Sequence, residues 1–364
     1  MGSSKGAQTI NRWFLEIVRK FFINSILLFT SIICCLIILD FGVRFIMPHY
    51  DPSGHVNFTT NTDGVPISAI QGSFRQIKNT GDYNVEIKIN SLGLRDNKEL
   101  KSSTPLDYFV VGDSFSFGWG VEEEERFSNV LDQLLPRSRV FNISIPTDFD
   151  GYQKLISYAE KNGALIKNLI IGVTMENDIQ NYNLSTKPIN KKPFRPAKRA
   201  LGLTAIKYFL RDNSAVYFFI TSIIQQNPKL RAFAQNLGLI VSNLKVIKNQ
   251  TYDKERIQKS ARKLHSISKN IEILVLLIPS RGLWVGEPED RKIARQIHQS
   301  FISEIKKFKI EYIDLRQIME LADNPMGFHF KNDGHWTRKA HNIAGVALAK
   351  RINSRYTHNN NFIK

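Results

Sequence analysis

The chain has 364 residues, of which 42% are apolar and 11% aromatic. This composition excludes a disordered protein, and the length allows one large domain with attachments. The formal net charge is +17, but the sequence has no zinc-ligand spacing, RNA-binding aromatic motif or basic heptad region, so we expect no nucleic acid partner. The only cysteines are Cys34 and Cys35, and no other ligand spacing is present, so we expect no metal and no cofactor.

The first predicted element is an uncharged apolar run from Phe21 to Leu39. As a helix it would span roughly 28 Å, close to the thickness of the hydrocarbon core of a bilayer. A buried soluble helix and a cleaved signal peptide are the alternatives, but the run has no polar stripe and no small-x-small cleavage site follows it. Ile33, directly before Cys34, also argues against a lipoprotein. We therefore predict a transmembrane signal anchor at 21–45 that contacts the lipid bilayer.

The charges on either side of this run predict its orientation. Four cations oppose one acid before it: Lys5, Arg12, Arg19 and Lys20 against Glu16. The positive-inside rule then predicts a cytoplasmic tail at 1–20 and a single-pass protein of the cytoplasmic (inner) membrane, with everything after about residue 45 outside. For an exported domain, anionic glycans or lipid head groups would suit the net positive charge, and a generally basic surface without a ligand is the alternative.

Residues 46–82 are rich in Gly, Pro, Ser, Thr and Asn, which predicts an irregular stalk or lead-in. Strand and helix patterns then alternate over 83–356, and a tail follows at 357–364. Strands are predicted at 83–89, 106–111, 139–145, 168–175, 271–278 and 310–315, and helices at 126–135, 151–163, 253–268, 289–307 and 337–352. This order predicts an α/β fold, a flavodoxin-like three-layer sandwich around a mostly parallel five-stranded sheet.

Residues 179–270 interrupt this alternation, and their apolar segments predict a helical insertion. The stretch 187–199 contains six cations, three prolines and no acid. We expect it either to guide an anionic polymer or the membrane surface towards the site or to form a solvated loop.

A serine follows the first buried strand in the sequence Gly112-Asp113-Ser114. At the carboxyl edge of a parallel sheet its hydroxyl can be exposed, and nearby backbone N–H groups can stabilise an oxyanion. The motif is not the G-x-S-x-G elbow, because Ser116 stands where the second glycine would be. Ordinary turn chemistry is the alternative.

Two further fragments fall at expected edges of the same sheet. Asn177 follows the third strand, where its amide could donate to an oxyanion or merely cap a turn. Asp333 and His335 precede the last helix, where they could supply an oriented general base or form a simple turn. His335 is preferred over His329 because it has a neighbouring carboxylate.

Together these fragments resemble the blocks of the SGNH/GDSL hydrolases, from about Asn90, in the stretch NSLGLRD, to Ile352. The resemblance implies an esterase-like fold with Ser114 as nucleophile, His335 as base and Asp333 as the residue that orients the base. The Asp-x-His spacing departs from the family's usual Asp-x-x-His. It resembles that of a subgroup acting on acetyl groups of exopolysaccharides.

The same resemblance implies an oxyanion hole formed by the Ser114 N–H, the Asn177 side chain and the N–H of Ser144. Ser144 and Thr147 stand where glycines are common in the family.

The leading hypothesis is an extracytoplasmic serine esterase or acylhydrolase that acts on a carbohydrate or lipid ester of the cell envelope. An O-acetyltransferase using the same residues and a catalytically idle glycan-binding or scaffold protein are the alternatives.

Overall fold

The computed structural model describes residues 3–182, 203–240, 251–268 and 271–360. The chain divides into two compact units, Met1–Gly54 with Arg199–Ile224 and His55–Lys198 with Gln225–Lys364. The basic stretch 187–199 lies outside the described residues, as does the end of the predicted tail at 357–364.

The described chain contains strands β1 (Phe58–Thr60), β2 (Pro66–Ser68), β3 (Gly72–Ile77), β4 (Asn84–Ile89), β5 (Tyr108–Gly112), β6 (Val140–Asn142), β7 (Asn168–Thr174), β8 (Glu272–Ile278) and β9 (Glu311–Asp314). Its α-helices are α1 (Ser3–Ile46), α2 (Ser114–Phe117), α3 (Phe127–Leu134), α4 (Phe149–Lys161), α5 (Leu203–Asn213), α6 (Ala215–Gln226), α7 (Pro228–Asn236), α8 (Lys254–Ile267), α9 (Pro288–Lys307), α10 (Leu315–Glu320) and α11 (Arg338–Asn360). Among the described residues, the predicted insertion at 179–270 contains four α-helices, α5, α6, α7 and α8.

In the smaller unit, α1 is one continuous helix through the predicted tail and the predicted anchor. The most apolar 18 residues of its segment Val18–Ile46 have a mean hydropathy of 2.6, and none of these residues is buried by other described parts of the chain. The helix is therefore long and apolar enough to cross a membrane. The same unit contains α5 and most of α6.

The larger unit is organised around a five-stranded sheet in the order β6-β5-β7-β8-β9. All four neighbouring pairs are parallel. Since the chain forms β5 first, β6 on one side and β7 on the other, the topological switch point lies beside β5, where α/β proteins place their ligands. The predicted α/β fold with a five-stranded parallel sheet is confirmed.

Two apolar cores cover the two faces of this sheet. Alternate residues of β5 enter different cores: Phe109 and Val111 join one, and Val110 joins the other. The first core is completed by α4, α8 and α9, and the second by α3, α10 and α11. The strands are buried on both faces, which explains why they appear in the sequence as continuous apolar runs.

The lead-in differs from the prediction. Residues 46–82 are not an irregular stalk, because they contain the antiparallel pair β1–β2 and the strand β3, which pairs antiparallel with β4. Val56 and Val65 are buried in the first core. The turn between β1 and β2 is closed by the Asn61 side chain, which accepts the Val65 N–H at 2.9 Å. Polar turns of this kind order the segment without the apolar periodicity on which sequence reasoning depends.

Arg95, in the NSLGLRD stretch, holds the loop that follows the serine turn. Its guanidinium is buried and donates to the carbonyls of Gly118 at 2.7 Å and Val121 at 2.8 Å. Burial, and then the nearby charge of Arg126, lower the pKa of Arg95 to about 9. Each of these bonds offsets part of the cost of burying the charge. The loop is thereby fixed against the NSLGLRD stretch.

Candidate active site

Ser114 is the first residue of α2, directly after β5. Asp113 caps this short helix by accepting the Phe115 N–H at 2.9 Å, and Gly118 ends it with a φ of 82°. A Cβ on Gly112 would lie 2.2 Å from Ser116 Oγ, so only glycine fits at the end of the strand. The hydroxyl of Ser114 is thus presented half-buried at the carboxyl edge of the sheet.

His335 lies against this serine. Its Nε2 is 2.8 Å from Ser114 Oγ, and its Nδ1 is 2.5 Å from Asp333 Oδ1. The same carboxylate oxygen accepts the backbone N–H of His335 at 3.0 Å. The Asp-x-His spacing therefore closes a ring over three residues, and the structure brings Ser114, His335 and Asp333 into one line of contacts.

The other carboxylate oxygen of Asp333 is also occupied. Oδ2 lies 2.8 Å from Lys78 Nζ and accepts the Tyr83 hydroxyl at 3.3 Å. Burial raises the pKa of Asp333, but the bonds and charges of His335 and Lys78 outweigh it, and the net pKa is well below the usual range. Asp333 is therefore held as a carboxylate, and it can stabilise a protonated imidazole.

Aromatic side chains fix the plane of the imidazole. Trp119 stacks on His335 with ring centroids 5.5 Å apart, and Phe115 contacts it with a centroid distance of 5.1 Å. The Trp119 indole N–H donates to the Tyr83 hydroxyl at 2.7 Å. Trp119, Tyr83, Asp333 and His335 thus form a closed chain of contacts.

Asn177 reaches the residue next to Ser114. Its Nδ2 donates to Asp113 Oδ2 at 2.8 Å. Asp113 is fully buried and also accepts the Thr174 hydroxyl at 3.0 Å; burial raises its pKa, and the bond from Asn177 is the largest opposing effect. An amide nitrogen carries two protons, so the second proton of Asn177 stays available to an incoming oxygen.

Asp178 has a structural role next to Asn177. Its buried carboxyl accepts the Tyr152 hydroxyl at 3.0 Å and the Thr174 N–H at 2.8 Å. Burial, and then the charge of Asp113, raise the pKa of Asp178 well above its usual value. These bonds hold the turn that carries Asn177 at the end of β7.

Ser144 does not fit its predicted role. Its N–H donates to Asn142 Oδ1 at 2.9 Å, and the residue is buried. The Asn142 side chain is itself fixed, since its Nδ2 donates to Ser116 O and to Ser128 Oγ, each at 2.9 Å. The N–H of Ser144 is therefore already used inside the protein, and the structure contradicts its assignment to an oxyanion hole.

His329 lies apart from the serine. It is buried, and its ring nitrogens have no hydrogen-bond partner among the described residues. Burial is the largest cause that lowers the pKa of His329, to about 4. His335, not His329, is thus the imidazole beside Ser114.

A second ion pair supports the loop that carries His335. Arg281 donates from its backbone N–H at 2.6 Å and its Nη2 at 2.9 Å to the carboxylate of Glu176. The guanidinium lies against Gly334, where an added Cβ would be 2.6 Å from its Cζ. Only glycine between Asp333 and His335 leaves room for this arginine.

Among the described residues, no group of three or more His, Cys, Asp or Glu side chains could hold a metal ion.

Part of this chain resembles a known protein family. Residues 245–361 match a family model described as ALGX, the SGNH hydrolase-like domain of the acetyltransferase AlgX. That range includes the loop of Asp333 and His335. The chain has the fold of an SGNH-type hydrolase. A search of curated proteins found no match.

Several solved structures are also similar to the SGNH fold of this chain. A G-D-S-L family lipolytic protein from Veillonella parvula is 9% identical, with 67% of this chain and 96% of that chain covered and a TM-score of 0.34. A lipase/acylhydrolase from Enterococcus faecalis is 10% identical, with 68% and 96% covered and a TM-score of 0.37. A catalytic mutant of the acetylxylan esterase Axe2 from Geobacillus stearothermophilus is 12% identical, with 69% and 96% covered and a TM-score of 0.36.

Sequence reasoning missed several side chains of this candidate site. They are Lys78, Tyr83, Trp119, Glu176 and Arg281. Lys78 belongs to the lead-in and Tyr83 directly follows it, about 250 positions before Asp333, so no spacing rule connects them to it. The one available signal was Trp119, a large aromatic residue between two glycines directly after the serine turn.

Proposed function

We propose that the chain is a serine esterase or acylhydrolase that forms an acyl-enzyme on Ser114. The observation that carries the proposal is the line of contacts from Ser114 Oγ through His335 to Asp333. A hydroxyl bonded to an imidazole, whose other nitrogen is bonded to a carboxylate, is the arrangement that activates serine for attack on a carbonyl.

In this reaction Ser114 Oγ attacks the ester carbonyl while His335 Nε2 accepts the hydroxyl proton. Asp333 stabilises the imidazolium, and the oxyanion accepts hydrogen bonds from the Ser114 N–H and the second Asn177 proton. The intermediate expels the alcohol, which takes the proton from His335. Water then attacks the acyl-enzyme by the same steps and releases the acid.

The proposed substrate is an ester of a carbohydrate or lipid of the cell envelope. This part of the proposal is supported by α1, which is apolar and long enough to span a bilayer, and by the cations that precede its apolar segment. The positive-inside rule then favours the N-terminus in the cytoplasm and the SGNH domain outside.

Labelling with a fluorophosphonate tests the proposal directly, because such probes react with activated serines. We expect stoichiometric labelling of the full-length chain and none of Ser114→Ala, with the same circular dichroism spectrum for both. Equal labelling of the two proteins, or no labelling of a folded wild-type chain, would reject Ser114 as the nucleophile.

A second candidate is O-acetyl transfer, in which a sugar hydroxyl replaces water in the second step. The specific observation in its favour is the match of residues 245–361 to the domain of an acetyltransferase. Adding oligosaccharide acceptors to an aryl acetate assay separates the two reactions. A transferase should release the aryl alcohol faster and yield acetylated sugar in place of acetate, whereas a hydrolase should yield acetate at an unchanged rate.

A further inference from the structure

Within the smaller unit, the end of α1 is bonded to the junction between α5 and α6. Asp40 Oδ1 accepts the Ser214 hydroxyl at 2.8 Å and the Val216 N–H at 3.1 Å. Asp40 Oδ2 accepts from Arg44 Nε at 2.7 Å, and an Arg44 Nη donates to the Asn213 carbonyl at 2.5 Å. A carboxylate on α1 therefore caps the first turn of α6.

This contact stabilises both the start of α6 and the carboxylate of Asp40. The first backbone N–H groups of α6 have no acceptor inside the helix, and a carboxylate at that end is favoured by the helix dipole. Asp40 directly follows the apolar run, within the candidate membrane span Val18–Ile46, where an unpaired carboxylate would be costly. It precedes the end of α1 at Ile46 by six residues, or about 9 Å along the axis. The junction of α5 and α6 is thus fixed at the level of the last turns of α1.

Apolar side chains are exposed on both helices that meet at this junction. On α1, Phe41, Phe45 and Ile46 have exposed fractions of 69%, 89% and 73%. On α5, Ile206 and Phe209 have exposed fractions of 56% and 65%. No described residue covers them, although in water such a cluster is unfavourable.

The cations of α5 lie on its other face, and its one acid, Asp212, is paired with Arg211. At 100° per residue, Lys207 is about 200° from Phe209 around the helix axis. Arg211, two residues after Phe209, is also on the opposite side of the helix, about 160° from Phe209 when measured in the same direction of rotation as for Lys207. An apolar face opposite cations is typical of helices that lie in the plane of a membrane interface.

We propose that α5 lies in the head-group region of the leaflet that receives the end of α1. In this arrangement Ile206 and Phe209 reach the acyl chains, and Lys207 and Arg211 face the lipid phosphates and water. The partner is a lipid surface, because the end of α5 is bonded to Arg44, next to the exposed Phe45 and Ile46 that lipid would cover. The inference goes beyond the ester chemistry and rests on the membrane-spanning role proposed for α1.

The test uses full-length protein reconstituted in vesicles of phosphatidylcholine and phosphatidylglycerol. Cys34→Ala and Cys35→Ala leave no native cysteine, so a fluorophore can be attached to Phe209→Cys or, on the opposite face of the same helix, to the matched control Lys207→Cys. With a nitroxide on the upper acyl chain, we expect quenching at position 209 to exceed that at 207 by about twofold or more. Equal quenching at the two positions would overturn the inference.

A third probe tests separately whether α1 spans the membrane. Native Cys34, labelled in a Cys35→Ala variant, should be quenched by a nitroxide near the end of the acyl chain. Absence of that quenching would reject the membrane span and the inference together. Quenching at Cys34, combined with equal values at 207 and 209, would reject the placement of α5 alone.

Discussion

The two sides of the site differ in how tightly they are held. The histidine side comprises His335, Asp333 and their partners, and the oxyanion side is the region around Asn177 and Ser144. The histidine side is held far more tightly. Both carboxylate oxygens of Asp333 are bonded, and aromatic rings fix the imidazole between them. On the oxyanion side, Ser144 is turned inward and Asn177 shares its amide with Asp113.

This difference indicates that the two sides serve different parts of the proposed reaction. The position of the general base is fixed before any substrate binds, by contacts from the lead-in as well as from the sheet. Stabilisation of the oxyanion depends on two donors, the Ser114 N–H and Asn177. Substitutions on the two sides should therefore affect the reaction in different ways.

The largest effect is expected from the two histidines. His335→Ala removes the base and should lower kcat on a short-chain aryl ester by on the order of 10⁴- to 10⁶-fold. His329→Leu, the control, removes a buried imidazole without hydrogen-bond partners, so kcat should change less than about threefold and the melting temperature should not fall. A large loss of activity in a folded His329→Leu variant would contradict the assignment of the base.

The oxyanion side gives the next largest effect. Asn177→Ala should lower kcat by about 10²- to 10³-fold with little change in KM, since the lost bond forms only in the transition state. Ser144→Ala, the control, removes a buried hydroxyl bonded to the Val110 carbonyl and keeps the backbone N–H, so kcat should change by less than about threefold. A loss at Asn177 no larger than that at Ser144 would contradict the oxyanion role of Asn177.

Lys78 provides a pH test of the histidine side. In Lys78→Met the full charge of Asp333 acts on His335, and it stabilises the protonated imidazole. The acid side of the profile of kcat/KM against pH should therefore move to higher pH, with a loss of about tenfold at neutral pH. Lys78→Arg keeps the charge and should retain the wild-type profile. A loss of activity in Lys78→Met without any shift would indicate a merely structural lysine.

The stability of the Lys78 variants should also depend on pH. Because the pKa of Asp333 is lowered on folding, its bonds stabilise the protein above the unfolded pKa of the carboxyl, and this contribution is lost as the pH falls through the folded value. Thermal melting should therefore show Lys78→Met less stable than wild type at neutral pH, with a smaller difference in strong acid. A constant difference across this range would contradict the charge coupling.

The smallest effect is expected from Tyr83→Phe. It removes one donor to Asp333 and the acceptor of the Trp119 indole N–H, which should lower kcat by about two- to tenfold with KM unchanged. Trp119→Phe keeps a ring against His335 and should cost no more. Intact activity in Tyr83→Phe would show that Lys78 alone is sufficient for Asp333.

The sheet could be predicted because its strands are apolar on both faces, as Val110 and Val111 illustrate. The meeting of Ser114, Asn177 and His335 could be expected for a related reason, since the carboxyl ends of parallel strands share one edge. The hairpins of the lead-in could not, because short strands such as β1 and β3 are ordered by turns and not by periodicity.

Details of the site also escaped sequence reasoning for physical reasons. Whether the Ser144 N–H finds an acceptor inside the protein depends on the rotamer of Asn142, which no motif specifies. The contact of Lys78 with Asp333 joins positions far apart in the chain, and only the folded lead-in brings them together.

The ring closed by Asp333 and His335 has a mechanical consequence. One carboxylate oxygen holds both the backbone N–H and the side chain of His335, so the imidazole cannot rotate about its side-chain bonds without losing its contact with Asp333. The orientation of the base is therefore set within three consecutive residues. The partners from elsewhere in the chain, Lys78 and Tyr83, then only have to hold the carboxylate.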